Sequence, residues 1–341
     1  MDQFTFGVVD QSPIRKGGSA QQALQETVQL AQLAEGYGYH RYWVAEHHNS
    51  GNFAGTSPEI LIGQIASQTQ SIVVGSGGVM LSHYSALKVA ENFSVLKALY
   101  PDRIELGIGR APGSDQVTAQ ALAYPRPVAN IQEFPQQVVD VIGFLAGTIP
   151  EGHPFSSIKA QSESSPESLP GVWLLGSSDY SARLAAALGL PFSFADFFGT
   201  TAEHGPMIAD LYRQQFRPSE YLEEPRFNVA LQVICADTEE KAELVLSSNN
   251  VSRVNRLKGI REPLVSPEEA IATQFTPVEL QHLEQSTKHL IVGTPEMVKE
   301  GVTKAAQAYS TTDVSIATNC YYFADRIRSF ELVAEAFDLS E

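Results

Sequence analysis

Short apolar runs recur along the whole chain and alternate with longer segments in which apolar residues repeat at helical spacing. This alternation is typical of a parallel sheet built from strand–helix units. Eight such runs are rich in β-branched and aromatic residues, and we predict a strand over each of them. The predicted strands lie near Phe4–Asp10, Arg41–Glu46, Ile72–Met80, Ile104–Arg110, Val172–Gly176, Phe192–Asp196, Phe227–Ala236 and Val314–Thr318.

The segments between the runs carry signals of helix starts. Ser19 stands three residues before Gln22, as in a capping box, and Ser57 and Thr294 each precede a proline and an acid. Eight strand–helix units in 341 residues favour an α/β fold of the closed (β/α)₈ TIM-barrel type, formed as one domain over residues 1–341. No G-x-G-x-x-G motif follows the first run, which argues against an open doubly wound sheet.

Two segments interrupt the alternation and are predicted to be insertions, one after strand four and one after strand seven. The first, Pro150–Pro170, is rich in Ser, Pro and Glu, and the second extends from about Ser247 to His289. The second would lie on the face that carries the active site of barrel enzymes, where long loops often serve as lids. A surface excursion without function is the alternative.

Composition and charge narrow the function. The net charge of −16 arises from 39 acidic and 23 basic residues without a basic stripe, so nucleic acid and anionic membranes would be repelled. Cys235 and Cys320 lie inside apolar runs, which does not indicate a disulfide framework. The N-terminal residues lack the features of a signal peptide, and no apolar segment is long enough to span a bilayer. We therefore expect a cytoplasmic protein that acts on small molecules.

Two histidines, His47 and His48, follow the second predicted strand. Because side chains alternate along a strand, only one of them should face the barrel axis. A histidine exchanges protons near neutral pH and could therefore act as a general acid or base, although a structural hydrogen-bonding role is the alternative. No H-E-x-x-H motif and no paired cysteines accompany them, so we do not predict a metal site.

The turn Gly176-Ser177-Ser178 leads directly into a predicted helix. Free backbone N–H groups and hydroxyls at a helix start form an anion site. Arg110, at the end of the neighbouring strand four, could add a charge-assisted contact to a phosphate. The alternative interpretation is a serine N-cap beside a surface arginine.

Glycines are concentrated within the third predicted strand, in the run Gly75-Ser76-Gly77-Gly78. Glycine weakens a strand and leaves the barrel interior unfilled. A flat ring lying against the bare backbone would explain these residues. An unusual peptide geometry or a plain bulge would explain them equally well.

Taken in order, these features resemble the bacterial luciferase-like flavin monooxygenase family over nearly the whole chain. The resemblance implies that His47 acts as an acid or base beside the flavin and that a cis peptide joins Gly77 and Gly78 beneath the isoalloxazine ring. It also implies a mobile lid after strand seven. The implied phosphate contacts are Arg110, Gly176, Ser177, Ser178 and Ser181. The segments that carry the resemblance are Tyr42–His48, Gly75–Leu81, Arg103–Arg110, Val292–Glu296 and Ala324–Leu332.

The same resemblance implies a reaction in which FMN, reduced by a separate NAD(P)H-dependent flavin reductase, uses O₂ to oxygenate a small organic substrate. Hydride transfer with the deazaflavin F420, and flavin binding without turnover, are the alternatives. The light-emitting members carry a reactive cysteine just before the strand-four arginine, whereas this chain has Gly109, so light emission is not expected. The resemblance further implies a homodimer through the second and third outer helices, but it does not identify the substrate.

Overall fold

The computed structural model describes residues 3–110, 115–199 and 202–339. The strands in these ranges are β1 (Thr5–Asp10), β2 (Arg41–Val44), β3 (Val73–Met80), β4 (Ile104–Gly109), β5 (Gly171–Gly176), β6 (Phe192–Ala195), β7 (Phe227–Cys235), β8 (Ile291–Gly293) and β9 (Asp313–Ala317). The α-helices are α1 (Ala20–Gly36), α2 (Pro58–Gln68), α3 (Ala86–Leu99), α4 (Gln116–Ala123), α5 (Phe134–Ala146), α6 (Asp179–Leu188), α7 (Gly205–Gln215), α8 (Glu239–Leu257), α9 (Pro267–Ile271), α10 (Pro277–Thr287), α11 (Pro295–Ala308) and α12 (Phe323–Ala336).

Eight parallel strands form a closed ring. Each of β1 to β6 pairs with the strand that follows it in the chain, β7 pairs with β9, and β9 pairs with β1. Helices between the strands cover the outside of this ring, so that the apolar faces of strands and helices form one large core. The predicted (β/α)₈ barrel is confirmed.

A buried polar layer fills the barrel near the N-terminal ends of the strands. Arg41 donates to both carboxylate oxygens of Asp313, at 2.6 and 3.0 Å. The indole N–H groups of Trp43 and Trp173 donate to the two carboxylate oxygens of Glu105, at 2.7 and 3.1 Å. Because this end is occupied by paired side chains, the remaining interior space lies toward the C-terminal ends of the strands.

A buried ion pair attaches the last helix to the barrel. Arg326 of α12 donates to Asp10, the last residue of β1, at 2.6 Å, and its Nε donates to the carbonyl oxygen of Thr318 at 2.8 Å. The hydroxyl of Tyr42 also donates to Asp10. Burial alone would raise the pKa of Asp10, but Arg326 and Tyr42 hold this pKa below its ordinary value.

The segment after β7 differs most from its prediction. Ser247 lies within α8, and the residues up to His289 form the end of that helix followed by α9 and α10. The chain then returns as β8, a strand that the sequence analysis missed, which pairs with the last three residues of β7. The segment is therefore mostly helical, and both of its ends are joined to one strand.

The other predicted insertion, Pro150–Pro170, lies between α5 and β5, at the end of the barrel opposite the C-terminal ends of the strands. The excursion that directly follows β4 contains α4, which the sequence analysis did not single out. Of the two predicted insertions, only the one after β7 lies on the face where barrel enzymes carry their chemistry.

The helix starts predicted from caps lie where expected. The Ser19 hydroxyl accepts from the backbone N–H of Gln22 at 3.2 Å at the start of α1. Ser57 and Thr294 precede α2 and α11 without a capping hydrogen bond from their side chains. Within the described ranges, no helix combines the length and apolarity needed to cross a membrane.

Candidate active site

One cavity of about 250 Å³ lies at the C-terminal ends of the strands. Every site residue predicted from the sequence lines it, namely His47, Gly77, Gly78, Arg110, Gly176, Ser177, Ser178 and Ser181. These residues come from four different strand ends, which the closure of the barrel brings together. Their roles in catalysis and cofactor binding stay predictions. Of the residues that follow Arg110 in the loop after β4, 111–114 lie outside the described ranges.

One wall of the cavity is bare backbone. The peptide bond between Gly77 and Gly78 is cis, and the pairing of β3 with β4 shifts its register between Gly77 and Val79. A Cβ atom on Gly78 would lie 2.7 Å from the carbonyl oxygen of Gly107 and equally close to Leu175. Packing between neighbouring strands therefore requires glycine here, and a consequence is a wall against which a flat ring can lie.

The first turn of α6 and Arg110 form a positively polarised end of the cavity. Ser178 occupies the N-cap position of α6, but its side chain makes no capping hydrogen bond. The Arg110 guanidinium lies 4.2 Å above the ring of Tyr180, and no carboxylate of a described residue pairs with it. The helix N–H groups, the hydroxyls and the unpaired cation form a donor set that fits a phosphate monoester.

The turn before α6 lies tightly against the helix. A Cβ atom on Gly176 would be 2.4 Å from the Ser181 hydroxyl oxygen, so a side chain at this position would displace that hydroxyl. Asp179, the acid in the first turn of α6, forms an ion pair with Arg183 one turn later, with a distance of 3.5 Å between Oδ2 and Nε. That carboxylate is mostly exposed, which limits its repulsion of an anion at the helix start.

His47 lines the cavity, whereas His48 turns away and bonds to Glu46 at 2.6 Å. The ring of His47 contacts that of Phe53, with centroids 4.7 Å apart and the planes tilted by 33°, and its buried Nδ1 has no hydrogen-bond partner among the described residues. Burial, together with the charge of Arg256, lowers the pKa of His47 to about 4. The imidazole is therefore neutral at physiological pH, with one nitrogen available to a bound molecule.

Glu46, to which the sequence analysis gave no role, connects the ends of β2 and β3. Its Oε1 accepts from the Tyr84 hydroxyl at 2.7 Å and contacts His48, while its Oε2 accepts from the backbone N–H of Met80 at 3.0 Å. Glu46 thus fixes the backbone on both sides of the cavity, and we regard it as a positioning residue. In the sequence, the feature that could have identified Glu46 is its position directly before two histidines at the end of a predicted strand.

Three further residues that the sequence analysis did not select also line the cavity, Gln11 after β1 and the adjacent Phe197 and Phe198 after β6. The two phenylalanines contact each other with ring centroids 4.5 Å apart. The sequence feature that could have identified them is their position directly after predicted strands, where the side chains of a barrel active site lie. Within the described ranges, no three His, Cys, Asp or Glu side chains converge as metal ligands.

The low pKa of His47 makes a testable prediction. In the ligand-free protein, the His47 ring should stay neutral as the pH falls from 8 to 5, since burial disfavours its charged form. Nuclear magnetic resonance of ¹⁵N-labelled histidine can follow this titration, with a His47→Gln variant to assign the signals. The spectrum of the His47→Gln variant, which should lack only the His47 signals, is the control for this assignment. A His47 midpoint near the ordinary histidine value of about 6.5 would contradict the prediction.

Comparison with known proteins gives a consistent result. The family model described as luciferase-like monooxygenase matches residues 4–312. The uncharacterized protein YwcH of Bacillus subtilis is 42% identical over 334 residues, covering 98% of this chain and 99% of that protein. The N-acetyl-S-alkylcysteine monooxygenase of the same organism is 36% identical over 333 residues, covering 97% of each chain.

Solved structures share the whole architecture. The crystal structure of apo-MsnO8 is similar with a TM-score of 0.89 at 36% identity, covering 99% of each chain. The oxygenating constituent of 3,6-diketocamphane monooxygenase from Pseudomonas putida, in complex with FMN, has a TM-score of 0.73 at 20% identity, covering 98% of this chain and 97% of that one. An F420-dependent secondary alcohol dehydrogenase in complex with an F420–acetone adduct has a TM-score of 0.69 at 13% identity, covering 99% of each chain. The last two share the fold alone, and their cofactors show that this fold holds FMN or F420.

Proposed function

Because the chain belongs to the luciferase-like monooxygenase family, we propose that it is a flavin-dependent monooxygenase that uses reduced FMN and O₂ to oxygenate a small organic substrate. The observation that carries this proposal is the single cavity that combines a bare backbone wall, a neutral histidine and an unpaired arginine at a helix start. When bound at this site, reduced FMN would supply two electrons to O₂, so that one oxygen atom would enter the substrate and the other would leave as water.

In this proposal the residues around α6 hold the FMN phosphate. Arg110 contributes the fixed positive charge, and Ser177, Ser178 and Ser181 contribute hydroxyls beside the free N–H groups of the first turn. The bare backbone of Gly77 and Gly78 would hold the isoalloxazine ring. The chain therefore binds and orients the cofactor at two points, with the phosphate at one end and the ring at the other.

His47 acts on a proton beside the ring through Nδ1, which has no hydrogen-bond partner among the described residues. A neutral imidazole can accept a hydrogen bond or a proton from the substrate or from a bound water. The aromatic side chains of Phe197 and Phe198 help to exclude water from the same space. Exclusion of water matters because activated oxygen in contact with solvent is lost as hydrogen peroxide.

Oxygen consumption tests the proposal. Reduced FMN is supplied by a separate NADH-dependent flavin reductase, and reduced F420 is tested in parallel. The substrate panel includes aldehydes, ketones, sulfonates, aromatic compounds and N-acetyl-S-alkylcysteines, the last because a relative that is 36% identical is named for them. We expect an oxygenated product whose formation requires both FMN and O₂. Its amount should exceed the amount of hydrogen peroxide that reduced FMN and O₂ form in a parallel reaction without the enzyme. Product formation with F420 alone, or peroxide alone across the panel, would contradict the proposal.

Arg110→Gln should lower the affinity for FMN by about 10- to 100-fold, because a charge-assisted contact to the phosphate is lost. The affinity for riboflavin, which lacks the phosphate, should change little. Fluorescence titration with both flavins measures the two effects. Arg183→Gln, on the exposed side of α6, is the matched control. Equal loss of riboflavin and FMN affinity in Arg110→Gln would show that Arg110 does not bind the phosphate.

We also propose a homodimer that forms through α2 and α3. Large apolar side chains are exposed on these two helices, including Ile60 at 73% and Leu99 at 64%. Ile60→Lys should therefore shift the mass measured by light scattering from dimer to monomer. Ile271→Lys, at a similarly exposed position on α9, is the control and should leave the mass unchanged. A monomeric wild-type protein would disprove the dimer.

A further inference from the structure

A second hollow of about 50 Å³ adjoins the main cavity. The two spaces share the side chains of Gln11, Phe197 and Phe198. Phe53, whose ring contacts that of His47, also lines the hollow. The hollow therefore continues from the place where the proposed reaction occurs, and it lies beneath α8.

Two arginines one helical turn apart on α8 face this hollow. Arg253 is 8% exposed, and Arg256 is solvent-exposed at the rim. Neither pairs with any carboxylate of the described residues, and the residues that line the hollow include no Asp or Glu. In a chain whose 39 acids outnumber its 23 bases, two adjacent arginines without a counter-ion require an explanation.

Arg253 is held in place by neutral groups only. Its Nη1 donates to the carbonyl oxygen of Ser286 at 3.1 Å, its Nη2 donates to Gln232 at 2.5 Å, and its buried Nε has no partner among the described residues. Burial, together with the charge of Arg256, lowers the pKa of Arg253 to about 10. A buried cation without an anion is costly, so an anionic ligand would be strongly favoured here.

The other polar groups of the hollow are neutral donors and acceptors in an ordered chain. Asn249 donates to the carbonyl oxygen of Asn319 at 2.9 Å, and the Asn319 amide donates to Gln11 at 2.7 Å. These hydrogen bonds lead from α8 to Gln11, one of the residues that both spaces share. The hollow is thus polar and positively charged, whereas the adjoining cavity is lined mainly by apolar groups and backbone.

We propose that the substrate is a small organic carboxylate whose anionic end binds in the hollow between Arg253 and Arg256, while its uncharged end extends into the main cavity beside His47. This inference rests on the proposed function and names the substrate class of the same site. One water molecule needs roughly 10–15 Å³ of such a space. The hollow therefore has room for a group of carboxylate size, and arginine is well suited to the planar carboxylate.

Calorimetry with matched acids and amides tests this proposal without turnover. Hexanoate is compared with hexanamide, and benzoate with benzamide, on the full chain with and without saturating FMN. We expect each carboxylate to bind at least about tenfold more tightly than its amide, and the preference to fall at least about fivefold in Arg256→Gln. Arg256 is the main test because it is exposed and its side chain forms no ion pair with a carboxylate of the described residues.

Arg253→Gln is the second variant, checked for folding by circular dichroism because Arg253 also connects α8 to Ser286. Arg217→Gln, which removes the same charge from an exposed position between α7 and β7, is the matched control and should keep the full preference. Affinity for FMN should stay within about twofold of wild type in Arg256→Gln. Loss of FMN affinity with unchanged carboxylate preference would assign the arginines to the cofactor and overturn the inference.

Two results separate this inference from the proposed function. Equal binding of acids and amides, with an oxygenated product formed from an uncharged substrate, would overturn the carboxylate site and leave the monooxygenase proposal intact. Retained carboxylate preference, with no FMN-dependent product from any carboxylate or neutral compound, would support the site and overturn the monooxygenase proposal. Inorganic phosphate is titrated in parallel, and tighter binding of phosphate than of benzoate would also overturn the inference.

Discussion

Replacement of His47 by alanine is expected to lower product formation by about 10²- to 10⁴-fold, the usual contribution of a positioned acid or base. His47 lines the same cavity as the cis peptide, and its Nδ1 has no hydrogen-bond partner in the part of the chain that the structure describes. Its side chain makes no hydrogen bond that supports the fold, so FMN should still bind. The yield of product per molecule of NADH consumed, with peroxide measured in parallel, gives the effect directly.

The control for this variant is His204→Ala, which removes an exposed histidine that is not among the residues lining the cavity. His47→Gln adds a second comparison, since glutamine retains hydrogen bonding but cannot accept a proton at neutral pH. Both His47 variants should lose activity if proton transfer is the role, whereas the glutamine variant should retain most activity if hydrogen bonding suffices. Unchanged turnover in His47→Ala would disprove a catalytic role for this residue.

Replacement of Arg326 by leucine is expected to destabilise the fold by about 3–5 kcal/mol, the cost of leaving one member of a buried ion pair alone. Asp10 is fully buried, and Arg326 is 2% exposed. Unfolding in urea, followed by circular dichroism, measures this loss. The loss is large because a protein of this type is stable by only about 5–15 kcal/mol in total.

Arg328→Leu on the same helix is the control. Its partners Asp237, Glu331 and Glu335 lie at the surface, so the change should be within about 1 kcal/mol. The pH dependence separates the two variants. In Arg326→Leu, the largest opposition to burial is lost and only the hydrogen bonds from Tyr42 and Ser12 remain, so we expect the folded pKa of Asp10 to exceed its unfolded value. The destabilisation should therefore shrink as the pH falls from 7 toward 4, whereas a pH-independent loss would point to packing alone.

The sequence predicted all eight strands of the ring because each is a buried run flanked by helical segments, a pattern that needs no knowledge of tertiary contacts. β8 escaped detection because it has only three residues, and its pairing with the end of β7 depends on where α10 ends. The helices between residues 258 and 290 were interpreted as an excursion, although the local signals were present. Thr276 and Glu279 form a capping box at the start of α10, which the sequence displays directly.

The candidate site was largely predictable because strand ends converge at one face of a barrel, and chemistry-bearing residues follow directly after strands. The pair formed by Arg253 and Arg256 was not predictable in the same way. These residues lie on a helix, and the direction in which a helix presents its side chains depends on how it packs. From the sequence alone, two arginines three positions apart on a helix indicate a solvated surface. Only the packing of α8 over the mouth of the barrel shows that they line the hollow.

The pairing of β7 with both β8 and β9 has a consequence for evolution. One strand starts the excursion through α8 to α10 and also receives its return through β8. Substitutions, insertions and deletions between the end of β7 and β8 change the residues that surround the mouth of the barrel. They leave the pairing of the eight strands in the ring unchanged. Members of the family can in this way differ in the segment over the barrel while they keep the same ring of strands.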